Sequence, residues 1–516
     1  MIFKEKTLSV AHIEEPELKF GLDQTEIYPK IGLTLYGPAN SDSKLNIQIG
    51  VIGTKSGIGH FKTWAKSIQK HIPIPPPTER DKEHRPHLTD FPGVEEAFGL
   101  FFDTESFVEY EVEESAIEKA SSTANIHEAV SKTVDLFINP IASHHREEEK
   151  SIDVWVLIVN EMIFTRCRPE SKRSGVALTP GEFIKRRRKR EYMPLLAPVL
   201  DQSEEKIFDD TPDFHRQVKA RMLALDKPTQ ILRETTLAPE AFLNVAGFPI
   251  RKTQDPATKA WNLATGLFYK TQPSPPWHIA NMREGVCYVG LVFKQIPNHP
   301  QNYACCAAQM FLSEGDGVVF RGANGPWMSE DKQFHLSSIA AKNLISKVLA
   351  TYKSKFGSFP KELFIHGRAN FSNDEWSAFC EAAPSKTNLV AIRIRPTSGD
   401  VKLFREGDYP CLRGTAILAD ERNAYLWTSG YAPRIDTYLG PETPNPLFIT
   451  TLKHTGDLPA IKSVMTDIMG LTKINYNGCN FSESLPVTIR FADKVGEVLV
   501  MGSAGDATRQ PFKFYI

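Results

Sequence analysis

His215 and Lys219 stand at i and i+4 in a segment with helical apolar spacing, residues 208–225, so both side chains leave one face of the predicted helix. Asp210 or Thr211 would cap its start. Gln230 follows downstream, and Lys270 closes a second apolar segment, WNLATGLFYK. A cation pair and an amide converging from separate elements make a receptor for a dianionic terminal phosphate, through charge-assisted hydrogen bonds. By spacing alone the same residues also read as scattered solvated side chains, because Lys and Gln are common on surfaces.

Other chemistries find less support. The glycine-rich stretch IGVIGTKSGIGHF at 49–61 lacks the Gly that a phosphate loop sets before its Lys, since Thr54 precedes Lys55. It reads as a strand followed by a glycine turn. Six consecutive cations, KRRRKR at 185–190, read either as a solvated face or as a contact for a nucleic-acid backbone, and the sequence does not separate the two. His144 and His145 sit in a charged stretch with no matched third ligand, which reads as a surface loop. No G-x-S-x-G elbow and no H-E-x-x-H is present.

The elements that must position these residues alternate. Residues 152–159 (IDVWVLIV) read as a buried parallel strand, and 286–294 and 362–366 as further strands. A helix over 338–353 feeds into the last of these; strands at 389–394, 412–418 and 424–428 and a helix at 458–471 follow. Proline-rich or polar breaks fall at 69–93, 140–152 and 271–277. The expectation is an α/β protein with substantially parallel sheets. Charged residues are 24% of the 516, as in a folded chain, and 61 Lys and Arg against 62 Asp and Glu leave a formal charge of −1. A whole-chain basic excess, the simplest footprint of a nucleic-acid binder, is missing, so any such binding needs locally concentrated charge or a partner chain. Seven cysteines, an odd number with no C-x-x-C pair, suit a reducing cytoplasm, and neither a membrane span nor a signal peptide is legible.

The chain resembles the short prokaryotic Argonautes, which combine a Rossmann-like MID domain with an RNase H-like PIWI domain. The likeness rests on Glu15–Pro16, Phe20–Gly21, Tyr36–Gly37–Pro38 and the run from Ile49 to Thr54, and on the spacing of His215, Lys219, Gln230 and Lys270. It continues through the proline-rich turn leading to Trp277 and the ending FKFYI. PTQILRETTL, ACCAAQMFL, GPW and PFKFYI further resemble the Argonautes encoded beside TIR–APAZ proteins, the SPARTA systems. The resemblance implies an N-terminal segment over 1–150, MID over 151–275 and PIWI over 276–516, with no N or PAZ domain. It makes His215, Lys219, Gln230 and Lys270 the pocket for a guide 5′-phosphate, with Mg2+ held there by the terminal carboxylate of Ile516.

The same likeness implies a PIWI domain that does not cut. Strand cleavage needs carboxylates to hold two divalent cations. Val292, Arg368 and Asp493 stand at the family's catalytic positions, and a lone Asp493 cannot place two metals; the family's glutamate finger is not placed. The implied function is that of a guide-RNA-dependent sensor of complementary single-stranded DNA in prokaryotic defence. It would pair with a TIR–APAZ effector and activate its NAD hydrolysis by target-induced oligomerisation, with no membrane involved. Alternatives are a Sir2–APAZ or nuclease–APAZ effector, an active guide-directed endonuclease, or a metabolic α/β enzyme.

Overall fold

A computed structural model describes residues 8–39, 45–78, 85–147, 151–171, 211–295, 304–311, 317–321, 327–328, 333–440, 442–499 and 510–515. In chain order, the first strand β1 (Ser9–His12) joins a sheet built much later in the sequence. Then come β2 (Ile49–Gly53), α1 (Lys55–Ser67), β3 (Val108–Glu111), α2 (Ile126–Glu147) and β4 (Val154–Val159). They are followed by α3 (Phe214–Leu223), β5 (Thr229–Arg233) and α4 (Pro256–Thr271).

Strands β2 to β5 form a four-stranded sheet in the order β3-β2-β4-β5, and every pairing is parallel. Every residue of β2 and β4 is buried, as expected where helices cover both faces. Two of the four strands come from before residue 150, so the expected boundary at 150/151 runs through this sheet. The break expected at 140–152 is also different. Helix α2 continues through Pro140 to Glu147, because Ile138 and Ile141 bury beside Phe137 in one continuous apolar stripe. His144 and His145 therefore lie on a helix. They pack on Trp155, whose indole nitrogen donates to His145 Nε2 at 3.1 Å, while Tyr110 meets His144 Nδ1 at 3.2 Å.

The second half begins with β6 (Val286–Gln295), β7 (Ala304–Phe311) and β8 (Gly317–Arg321), then α5 (Ser338–Phe356), β9 (Glu362–Gly367), α6 (Asn373–Ala382) and β10 (Asn388–Pro396). It ends with β11 (Thr415–Leu418), β12 (Asn423–Leu426), β13 (Leu447–His454), α7 (Ile461–Leu471), α8 (Val487–Leu499) and β14 (Gln510–Pro511). Ten strands make one sheet, ordered β1-β11-β12-β13-β10-β9-β6-β7-β8-β14. Only β6, β9 and β10 pair in parallel; the rest are antiparallel, so this sheet is mixed where a parallel one was expected. Its hairpins need no crossover helix, which the helix-poor stretches around β6–β8 and β11–β13 already reflect.

A buried ion group ties the start of the chain to this second half. Glu15 bridges Arg413 and Lys473, each at 2.8 Å, and both cations are almost fully enclosed. Trp277, fully buried at the junction between halves, donates to the Lys473 carbonyl at 3.1 Å. Among the described residues no helix is long and apolar enough to cross a membrane.

Candidate phosphate pocket and the Val292–Arg368 region

Helix α3 starts at Phe214, and its N-cap is Asp213, whose carboxylate accepts from the Arg216 amide; Thr211 lies before the cap, and Asp210 lies outside the described residues. Phe214, Val218 and Met222 anchor α3 in the cluster under α2, which leaves the stripe carrying His215 and Lys219 to the neighbouring side. Lys219 is 1% exposed and donates from Nζ to the Thr229 carbonyl, at 2.7 Å, on the strand that carries Gln230.

Helix α4 is fixed by its Asp255 N-cap and a Pro at the first position, and buries Ala257, Ala260, Trp261, Ala264 and Phe268. Lys270, 2% exposed, falls in its last turn, where the helix dipole favours a cation, and its Nζ donates to Gln230 Oε1. Gly266, one turn earlier, faces the same space: a Cβ there would lie in ordinary contact, 3.7 Å from Gln230 Oε1 and 3.8 Å from Asn477 Oδ1. The structure thus brings together all four residues predicted from spacing.

The electrostatics of the pocket are one-sided. Burial, and after it the charge of Lys270, holds the Lys219 pKa well below the ordinary lysine value. Burial alone lowers Lys270 to about 7. His215 is held down to about 3 by burial and then by Lys219, Lys270, Lys494 and Arg216, so its imidazole is neutral. His215 is nevertheless an exposed residue. An anion entering here would relieve burial and repulsion at three groups together.

Several of these neighbours were not singled out in the sequence. Lys494 comes from α8, and Arg216 bridges to Glu497 on that helix at 3.0 Å. Lys513, in the FKFYI tail, donates to the Gln272 carbonyl at 2.9 Å, while Phe512, Phe514 and Tyr515 bury against the body. The amphipathic pattern of α8 was the available signal for Lys494; Asn477 sits in a loop that carries no local pattern. Ile516 and residues 185–190 lie outside the described residues. Lys219, Lys270 and Gln230 present cations and an amide, which fit an anion and are not by themselves a Mg2+ ligand set.

The glycine-rich segment behaves differently. Helix α1 begins immediately after β2, with Thr54 as N-cap accepting from the Gly57 amide at 3.0 Å. The Thr54 hydroxyl donates to Glu234 Oε1 at 2.7 Å, placing a buried carboxylate at the helix start where a phosphate loop would hold its ligand.

In the ten-stranded sheet, Gly290 on β6 pairs with His366 on β9, and Val292 and Arg368 lie two residues beyond that pair. Val292 is buried and Arg368 exposed. Helix α8 crosses this point closely: a Cβ at Gly290 would land on the Thr488 carbonyl, and His366 Nδ1 meets Thr488 Oγ1 at 2.9 Å. Asp493 lies further along α8, its side chain outside the described residues. Among the described residues no three His, Cys, Asp or Glu side chains gather as a metal site.

A four-stranded Rossmann-like sheet joined to a large mixed RNase H-like sheet, with a basic pocket at their contact, defines an Argonaute-like fold. Solved structures agree. Clostridium butyricum Argonaute bound to a guide DNA and a 19-mer target DNA matches at TM-score 0.62 and 15% identity, over 99% of this chain and 55% of that one. Aa-Ago with externally bound siRNA matches at 0.54 and 14%, over 98% and 56%. A. aeolicus Argonaute matches at 0.52 and 13%, over 98% and 55%. The chain therefore spans little more than half the length of these Argonautes. No known family model and no curated protein matches the sequence.

Proposed function

We propose that the chain is a guide-dependent nucleic-acid sensor that does not cut. The observation that carries this reading is the pair of buried lysines, Lys219 and Lys270, set beside Gln230 and an exposed His215, with Lys219 held down by burial and by Lys270, and Lys270 by burial alone. Such a pair is the receptor for a terminal phosphate dianion. The bound nucleic acids of similarly folded Argonautes support a guide, here RNA by family resemblance, with single-stranded DNA as its complementary target.

Target pairing then stabilises an assembly-competent state of a complex with a TIR–APAZ effector, whose domains hydrolyse NAD once oligomerised. Buried Val292 and exposed Arg368 at two of the cutting positions support recognition without cleavage. Sir2–APAZ or nuclease–APAZ effectors would use the same sensor.

The test is to purify the chain with the protein encoded beside it, add defined guides with or without complementary DNA, and follow NAD. NAD loss that requires a 5′-phosphorylated guide and target, and vanishes in Lys219→Glu/Lys270→Glu, is the expected result. Guide retention dependent on those lysines without NAD loss rejects the TIR effector alone. Sequence-specific cutting by the isolated chain with Mg2+ would overturn the non-cutting assignment.

A further inference from the structure

One face of the ten-stranded sheet is covered along most of its length, and the other only in part. Val390, Ile392, Ile394, Ala416, Ala424, Leu426, Leu447 and Ile449 all point into the core that holds α7 and α8. On the opposite face, α5 and α6 cover Val289, Ile365, Leu389 and Ala391, that is β6, β9 and the first half of β10. Among the described residues, no helix covers this second face over β11, β12 and the start of β13.

Register places a continuous row across that open face. Val10 pairs with Ile417, Ile417 with Tyr425, Tyr425 with Phe448, and Phe448 with Arg395. Val10 is 73% exposed, and Ile417, Tyr425 and Phe448 are half-buried. The Tyr425 and Phe448 rings lie 4.8 Å apart, centre to centre, and the Arg395 guanidinium stands 5.9 Å from the Phe448 ring. The next row runs Asn423, Thr450, Arg393. Arg393 donates to Asn370 at 2.9 Å, while its Nε is buried with no partner.

Charge decides what such a face fits. The two rows carry two arginines and no carboxylate. On the turn between β11 and β12, Asp420 accepts from the Arg422 and Asn423 amides and the Asn423 side chain, and Glu421 beside it is exposed. Paired aromatic faces ending on guanidinium groups suit bases on a polyanionic backbone, because every base has a π-face and arginine both stacks and neutralises phosphate.

We propose that the open face of β10–β13 is a second nucleic-acid surface, taking an unpaired single strand with bases over Tyr425 and Phe448 and phosphates at Arg395 and Arg393. This goes beyond the pocket reading and does not depend on it, since the face lies on another sheet from Lys219 and Lys270.

The test uses the full chain, a fluorescein-labelled oligothymidylate with a 5′-hydroxyl end, and an abasic strand of equal length, followed by anisotropy. The wild type binds the thymidylate about 10-fold tighter than the abasic strand, in keeping with stacking on aromatic side chains. Tyr425→Ala/Phe448→Ala removes that preference, and Arg395→Glu weakens binding to both strands. A 5′-phosphate added to the same thymidylate reads the pocket separately from the face, so failure of the pocket and failure of the face are told apart. Should the double variant melt at a lower temperature, Arg395→Glu, altering an exposed side chain, reads the face by itself. Equal affinity for both strands, or no effect of Arg395→Glu, overturns the proposal. So does concentration-dependent self-association abolished by Tyr425→Ala/Phe448→Ala without thymidylate binding, which would make the face a protein interface.

Discussion

The Lys270 ammonium donates to the Gln230 amide oxygen, tying the last turn of α4 to β5, and burial sets that ammonium's pKa at about 7. At pH 8 it is mostly neutral in the free protein, and a phosphate dianion beside it restores its proton. Binding of a 5′-phosphorylated strand at pH 8 therefore takes up protons, and affinity falls as pH rises. Calorimetry in buffers of different ionisation enthalpy should show net uptake for the 5′-phosphate strand and none for its 5′-hydroxyl counterpart.

Discrimination between those two ends should rest on the lysines. Two charge-assisted bonds at roughly 1.5–3 kcal/mol each correspond to about 100-fold or more in Kd. Lys219→Glu/Lys270→Glu should erase the difference between phosphorylated and unphosphorylated strands in a filter-binding assay. In thermal melts, the phosphorylated strand should stabilise the wild type by about 2.7 kcal/mol at 100 times its Kd, beyond what the unphosphorylated strand gives at the same concentration.

This pocket was legible in the sequence because three of its members sit on strongly patterned elements: His215 and Lys219 at helical spacing, and Lys270 at the end of an apolar helix. The groups that close in around it were not. Lys494 and Asn477 arrive from the far half of the chain, and no local period encodes contacts separated by more than 200 residues. The fold class was legible for the same reason, whereas the helix over 140–147 was hidden by Pro140 and a charged surface, and tertiary burial of Ile138 and Ile141 overrode both. The mixed sheet escaped notice because strand direction is set by connections, not by strand residues.

Glu15 makes a separate prediction. Burial works against its charge, yet Arg413 and Lys473 hold its pKa down at about 2. A carboxylate lowered on folding contributes above its ordinary pKa of 4.5 and loses that contribution as pH falls toward 2. From the other side, burial outweighs Glu15 at Lys473, whose pKa drops to about 8, so the intact group adds little net stability. Breaking it is the larger effect. Glu15→Gln strands two buried cations and should cost about 3–5 kcal/mol, seen as a lower urea midpoint at pH 7. The deficit should shrink on acidification toward pH 3.

Gly290 is a steric test of the α8 contact. Ala there forces the Thr488 carbonyl away, at about 1–3 kcal/mol, and should loosen the His366–Thr488 bond. Hydrogen exchange should rise in α8 and at its bridge to Arg216, whereas Gly59→Ala, where a Cβ meets nothing within 4 Å, should leave exchange unchanged.

The carboxylate of Glu234 at the start of α1 gives the parallel sheet an electrical polarity. Its carboxyl rim, where doubly wound folds usually admit nucleotides, is plugged by the protein's own anion. The vacancy for an incoming anion is moved to the opposite end of β5, where α8 and the tail press in from the other half. Loose mononucleotides thus find the customary door shut. A phosphate taken up between Lys219 and Lys270 would sit where the two halves meet, so that one bound charge would be felt by both at once.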